Sequence, residues 1–176
     1  MPFNSFGLRP ELLQGIQALG YAVPTPVQAR ALPEALLGRD VIGSAQTGSG
    51  KTVAFTLPLL QRLLADREAE GGAKAGLRVR ALVLTPTREL ASQVERMISE
   101  LAKFSPVKCV TVIGGASFHA QTQELKRGAE VVVATPAACS TTSAPAPSTS
   151  RTCASPSSMR PTACSTWASC PMCGAS

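Results

Sequence analysis

After Pro136 this chain no longer contains the material of a protein core. Residues 137–176 hold no Leu, Ile, Val, Asp or Glu, and Ser, Thr, Ala, Pro and Cys make up 34 of the 40. Ordering a backbone costs roughly 1–2 kcal/mol per residue, and a segment with almost nothing to bury cannot offset that, so disorder is the expectation there. A Ser/Thr/Pro-rich linker or mucin-like stalk has a similar composition. It fits poorly after a domain cut off in the middle of a sheet. Whatever folds must therefore fold within residues 1–136, which is long enough for one domain with a real core.

Those 136 residues alternate between two periodicities. Residues 9–19 carry Leu12, Leu13, Ile16 and Leu19 at helical spacing. Residues 40–43 are a short apolar strand ending at a glycine-rich turn, and 51–64 form the helix after it. A charged, glycine-containing loop spans 68–76, and 80–84 are a buried strand followed by a helix over about 88–103. Further strands occupy 108–113 and 130–134, with a helix near 119–127 between them. Strands that are apolar on both faces and alternate with helices predict an α/β fold, a parallel sheet flanked by helices.

Composition excludes rather than selects. No run of about eighteen apolar residues occurs, so no membrane span is expected, and residues 1–5 lack the basic and apolar regions of a signal peptide. Cytoplasm is the default. The net charge of +6 mildly favours polyanionic partners without requiring one. Of six cysteines only Cys109 lies before residue 137, inside the apolar run 107–112, where a buried thiol is the simplest reading. Cys170 and Cys173 have redox or zinc spacing, but no second ligand pair accompanies them. His119 stands alone near a turn, which suits an exposed or capping role better than catalysis.

The run Ala45-Gln46-Thr47-Gly48-Ser49-Gly50-Lys51-Thr52 lies between a predicted strand and a predicted helix, the context a phosphate-binding loop requires. Gly48 and Gly50 let the backbone curl so that its N–H groups, with the helix N-terminus, point at β- and γ-phosphates. Lys51 adds a point charge for those phosphates, and the Thr52 hydroxyl can ligate Mg²⁺. Upstream, the carboxamide of Gln28 can both donate to and accept from the edge of adenine. Downstream, Pro86-Thr87-Arg88-Glu89-Leu90 opens a helix after a strand, which is a ready phosphate site. Singly, each of these is also a turn, a cap or a core position.

Their order and spacing resemble the first RecA-like domain of DEAD-box ATP-dependent RNA helicases. Gly20-Tyr21-Ala22-Val23-Pro24-Thr25-Pro26-Val27-Gln28 is similar to the Q motif of that family, which here spans about residues 3–28. Phe3 lies at the family's spacing for an aromatic stacked on adenine, although Phe3 and Phe6 also suit a core. Ala45 in place of the general glycine is the helicase-like form of the phosphate loop. The resemblance implies ATP and Mg²⁺ as ligands. It implies RNA, held mainly through phosphate and sugar, at Pro86, Thr87 and Arg88, at Gly114-Gly115, and at Thr135-Pro136. A small P-loop kinase would leave Gln28, residues 86–90 and Gly114-Gly115 without a purpose.

Residues 137–176 depart from the family, and the genetic code suggests why. Met159 and Trp167 have one codon each, which pins a back-translation. Residues 156–169 can be written so that the frame one nucleotide earlier reads Val-Leu-Asp-Glu-Ala-Asp-Arg-Met-Leu-Asp-Met-Gly-Phe, the carboxylate box that names the family on its strand. Residues 137–141 shift in the same way to Gly-Arg-Leu-Leu-Asp, which continues Thr135-Pro136 into the family's Thr-Pro-Gly-Arg motif. One G lost from a run at the codon for Pro136 accounts for both. In this translation the Asp-Glu-Ala-Asp box, the Ser-Ala-Thr motif and the second domain are missing, so no catalytic residue is assigned. In the family's fold the carboxylate-bearing strand lies beside the strand that feeds the phosphate loop; without it the 40–43 strand is left with an unpaired edge and an exposed apolar face. Resequencing around the codon for Pro136 should reveal the missing nucleotide, and an uninterrupted frame there with no such G-run would remove the frameshift reading.

Overall fold

A computed structural model describes residues 2–71, 79–115 and 118–136. A 3-10 turn (Phe3–Phe6) leads into α1 (Pro10–Ala18), α2 (Pro26–Leu36) and α3 (Lys51–Ala69). Then follow β1 (Ala81–Leu84), α4 (Arg88–Leu101), β2 (Cys109–Val112), α5 (Phe118–Lys126) and β3 (Val131–Ala134). The three strands form one parallel sheet in the order β1-β3-β2, so β3, last in sequence, is central. This is the expected α/β architecture, with observed strand ends within one residue of those read from the sequence.

The burial pattern follows from that order. Every residue of β3 is buried, as a central parallel strand covered on both faces must be. Val131 and Val133 face a large core with Leu12, Ile16, Leu32, Leu57, Leu60, Ile98 and Leu101 from α1 to α4. Val132 and Ala134 face a smaller cluster with Val112, against which Leu125 of α5 packs. On β1 the inward residue Val83 is buried, whereas Leu82 and Leu84 on its other face stay 45% and 43% exposed. At Gly15 of α1 the backbone lies so close to the carbonyl of Leu101 that no Cβ would fit.

Local chemistry sets the helix starts. Thr25 caps α2 through a reciprocal box: its side chain accepts from the Gln28 amide while the Gln28 side chain accepts from the Thr25 amide. Pro10 and Pro26 sit in the first turns of α1 and α2, where a missing N–H costs nothing. Thr87 caps α4 at Leu90. No helix is expected at α2 from the sequence pattern, although the Thr-x-x-Gln box is present. The helix expected over 51–64 continues to Ala69 as α3, so the predicted charged loop starts later, and its remainder, 72–76, lies outside the described residues.

One expected element does not form. Residues 40–43 have no strand structure, and Ile42 is 100% exposed. A strand exists only by pairing. Among the described residues β1 is paired with β3 alone, and none of them supplies a strand between β1 and the 40–43 segment.

A buried ion pair fixes α3 to the start of β3. Glu130 is 1% exposed, and its Oε1 accepts from Arg67 at 2.9 Å. The Oε2 atom of Glu130 has no partner among the described residues. Removing one member of such a pair leaves an uncompensated buried charge and costs about 3–5 kcal/mol, whereas replacing both by apolar groups is close to neutral. Arg67→Ala should therefore lower the urea midpoint of the chain sharply, and Arg67→Met with Glu130→Leu should restore most of it. Equal loss in the single and double variants would show that the pair itself holds α3 in place.

Candidate functional site

The segment between α2 and α3 holds the predicted phosphate loop. Residues 47–50 make two tight turns in which Gly48 and Gly50 adopt φ of 78° and 88°, the left-handed region that favours glycine. Gly50 is the N-cap residue of α3 and supplies no side-chain cap, so the first N–H groups of a 19-residue helix stay available to a ligand. The Ser49 hydroxyl oxygen is buried without a partner among the described residues. An orphaned hydroxyl beside free helix N–H groups is what an incoming phosphate would satisfy. Lys51 folds back instead: its Nζ donates to the carbonyls of Ala45 and, at 2.7 Å, Gln46. Thr52, half-buried in the first turn of α3, follows directly.

Gln28 is joined to this loop. It is 2% exposed, and its Nε2 donates to the Gly50 carbonyl at 3.1 Å while its Oε1 accepts from the Thr25 N–H at 2.9 Å. A carboxamide has two donors and two acceptor positions, so one of each is left for a base. The N-terminal Pro-Thr-Pro segment and the phosphate loop are therefore one assembly, with α2 packed along α3. Tyr21 and Pro26 lie exposed at its margin. Phe3 takes the alternative left open for it: it is 3% exposed in the main core, its ring 6.5 Å from that of Phe6.

The other predicted residues gather at one edge of the sheet. The register aligns Leu84, Ala134 and Val112 across the three strands, so the segments that follow must leave side by side. They are 85–88, 135–136 and 113–115. Loops at the carboxyl ends of parallel strands are where ligands of α/β sheets bind. Thr85 donates to the Ala134 carbonyl through its N–H at 2.9 Å, and Thr135 donates to the Val112 carbonyl at 3.3 Å. Arg88 lies against Gly115: a Cβ on that glycine would stand 2.7 Å from an Arg88 guanidinium nitrogen. Thr87 and Pro86 are exposed, Thr135 is buried, and Pro136 is exposed. His119 is exposed on α5 and 3.1 Å from the Gln123 amide nitrogen, well away from these loops in role.

Among the described residues no group of three or more His, Cys, Asp or Glu could hold a metal ion, and Cys170 and Cys173 lie outside them. No described helix is long and apolar enough to cross a membrane. The coupling of Gln28 to Gly50 was missed in the sequence; the Thr-x-x-Gln box was the signal that could have placed Gln28 at a helix start.

Comparison with known proteins gives the family. Residues 25–153 match the family model described as DEAD/DEAH box helicase. The match runs into the segment after Pro136. A DEAD-box ATP-dependent RNA helicase 28 of Oryza sativa subsp. japonica is 48% identical over 134 residues, covering 76% of this chain and 16% of that protein. An ATP-dependent rRNA helicase RRP3 of Lodderomyces elongisporus is 46% identical, covering 76% of this chain and 25% of that protein. Among solved structures, the RNA helicase Prp28 from Chaetomium thermophilum bound to ADP aligns with a TM-score of 0.66 at 40% identity. That alignment covers 77% of this chain and 32% of that one. The chain thus spans between a sixth and a quarter of the curated relatives it matches.

The two loop glycines make a test of the geometry. A Cβ at Gly48 would meet nothing within 4 Å, whereas one at Gly50 would stand 2.5 Å from Gln28 Nε2 and 3.2 Å from Thr25 Oγ1. Gly48→Ala should cost only the left-handed strain of ~1–2 kcal/mol. Gly50→Ala should cost more, by about the ~0.5–1.5 kcal/mol of a displaced hydrogen bond, and Gln28→Ala should relieve the difference in a double-mutant cycle. Equal costs at the two glycines in urea titrations would mean that Gln28 does not close on the loop.

Proposed function

The chain belongs to the DEAD/DEAH box helicase family, and from that premise we propose that it is the nucleotide-binding part of an ATP-dependent RNA helicase that binds but does not turn over. The observation that carries this reading is the bond from Gln28 to Gly50. It joins a group suited to an adenine edge to a loop suited to phosphates, on one buried support. A cytoplasmic location goes with it.

The residues present fit a magnesium nucleotide. The buried, partnerless Ser49 hydroxyl and the uncapped start of α3 are acceptor-seeking groups in a loop whose left-handed turns at Gly48 and Gly50 favour glycine. Lys51 transfers its Nζ from the carbonyls of Ala45 and Gln46 to the phosphates, exchanging two neutral acceptors for charged ones. Thr52 would hold Mg²⁺ through its hydroxyl. Bound Mg²⁺ supplies neutralisation of charge on the phosphoryl oxygens. Gln28 presents its remaining donor and acceptor to the base, with Tyr21 and Thr25 shaping the approach.

The carboxyl edge of the sheet serves the RNA backbone. The start of α4 at Thr87, the Arg88 guanidinium and the bare backbone at Gly114-Gly115 form a sequence-independent phosphate and sugar surface, which Thr135 and Pro136 continue. Hydrolysis needs more than this chain carries. Phosphoryl transfer is catalysed by positioning and charge, and an arginine finger alone is worth roughly 10³–10⁵-fold. The Asp-Glu-Ala-Asp carboxylates that would organise the metal do not occur in this sequence.

Calorimetric titration with ATP, GTP and single-stranded RNA tests the reading. Weak binding of ATP in preference to GTP is the expected result, lost in Lys51→Ala, with no RNA-stimulated phosphate release from the chain as translated. Repair of the frame should strengthen ATP binding. Hydrolysis by the chain as translated that Lys51→Ala abolishes would overturn the assignment of inactivity. Equal affinity for GTP, or no nucleotide binding even in the repaired frame, would overturn the assignment of the site.

A further inference from the structure

The outer edge of β2 carries a feature the helicase reading does not use. Among the described residues β2 pairs with β3 on one side only. The carbonyls of Lys108 and Val112 accept from Val131 and Thr135 of the β3 segment. Because strand groups alternate in direction, the N–H and C=O of Cys109, Thr111 and Ile113 point outward.

At Ile113 a side chain already plays the missing strand. The Gln121 Oε1 accepts from the Ile113 N–H at 3.1 Å, and its Nε2 donates to the Ile113 carbonyl at 3.2 Å. This two-bond pairing confirms the outward direction of the odd-numbered residues. Cys109 and Thr111, two and four positions earlier, have no such partner among the described residues. Their open edge floors a groove of about 630 Å³, within the ~300–1,000 Å³ of ordinary ligand clefts. α4 forms one wall through Glu95 and Ser99, and the end of α5 forms the other.

The groove is polarised. Lys103 after α4, Lys108 before β2 and Arg127 after α5 line it, and all three elements have these residues at the amino end of the parallel sheet. Glu95, tied by the Ser99 hydroxyl at 2.8 Å, and Glu124, one turn before Arg127 on α5, also line it and lie further along from the amino end. The Cys109 thiol is pushed up to about 12 by burial and by Glu95, so the floor presents neutral main chain rather than a thiolate.

From the open main-chain groups and this charge distribution, we propose that the β2 edge is a docking slot for an extended segment of another protein. The segment adds as a strand opposite residues 109–111 and places an acidic end against Lys103, Lys108 and Arg127. Affinity comes from main-chain pairing, as in other strand additions. Register is set by Gln121, which closes the slot at Ile113. The charge at the amino end selects the partner.

Hydrogen exchange followed by mass spectrometry tests this on the whole chain at sub-micromolar concentration. The probe is the synthetic peptide Asp-Glu-Val-Thr-Val-Thr-Val, titrated to about 1 mM. Saturable protection of residues 107–113 is the expected result, and it should vanish for the same peptide with alternate amides N-methylated. Thr111→Pro removes an outward donor without touching the β2–β3 ladder and should weaken binding by at least about tenfold. Lys108→Glu with Arg127→Glu, both on the surface, should weaken it by about threefold or more and serves if the proline variant does not fold. No protection by the parent peptide, protection centred on residues 79–84 instead, or binding indifferent to the charge reversal would each overturn the proposal.

Discussion

The position of every candidate loop depends on β3. It is the one strand with neighbours on both sides and cores on both faces, and its register brings Leu84, Ala134 and Val112 level. Residues separated by up to fifty positions in sequence therefore emerge at one edge without any direct attraction between them. The Arg67–Glu130 pair anchors the other end of the strand to α3, and α3 is the helix whose first turn bears Lys51 and Thr52. The phosphate loop and the carboxyl-edge loops are thus referred to the same frame, one through a helix and the others through the ladder.

That frame is complete on one side of the phosphate loop and missing on the other. The helix behind the loop is long, buried along Val53, Leu57, Leu60 and Leu64, and pinned through α2 by Gln28. The strand before it does not exist, and Ile42 stands in solvent. Loop geometry is consequently held from its carboxyl end only. Lys51 donates to the carbonyls of Ala45 and Gln46 in its own loop.

The sequence disclosed what local pattern and chemistry determine. The three strands were legible because four-residue apolar runs between helices have few other uses, and the phosphate loop because Gly48, Gly50, Lys51 and Thr52 fix both a turn and a function. What pairing determines was not legible. Residues 40–43 have the composition of a strand, but composition cannot say whether a neighbour is present. Helix α2 was hidden by its prolines: Pro26 is favourable in a first turn, and Pro33 lies inside the helix where propensity argues against it. Phe3 was ambiguous between stacking and core because both roles want an apolar ring near the same helix. The Gln28–Gly50 bond, over 22 residues, depends on α2 packing along α3 and leaves no trace in spacing.

The two margins of the sheet differ. β2 is finished as an edge: Gln121 closes its outward groups at Ile113, α4 and α5 wall it, and Lys108 stands at its start, devices that keep an edge from pairing at random. β1 has two half-exposed leucines on one face, beside a further exposed apolar residue at Val79. Such residues suit a strand in the middle of a sheet with a helix over it, and they are a liability at a margin. A sheet evolved to end at β1 would carry charges or a cap where these stand.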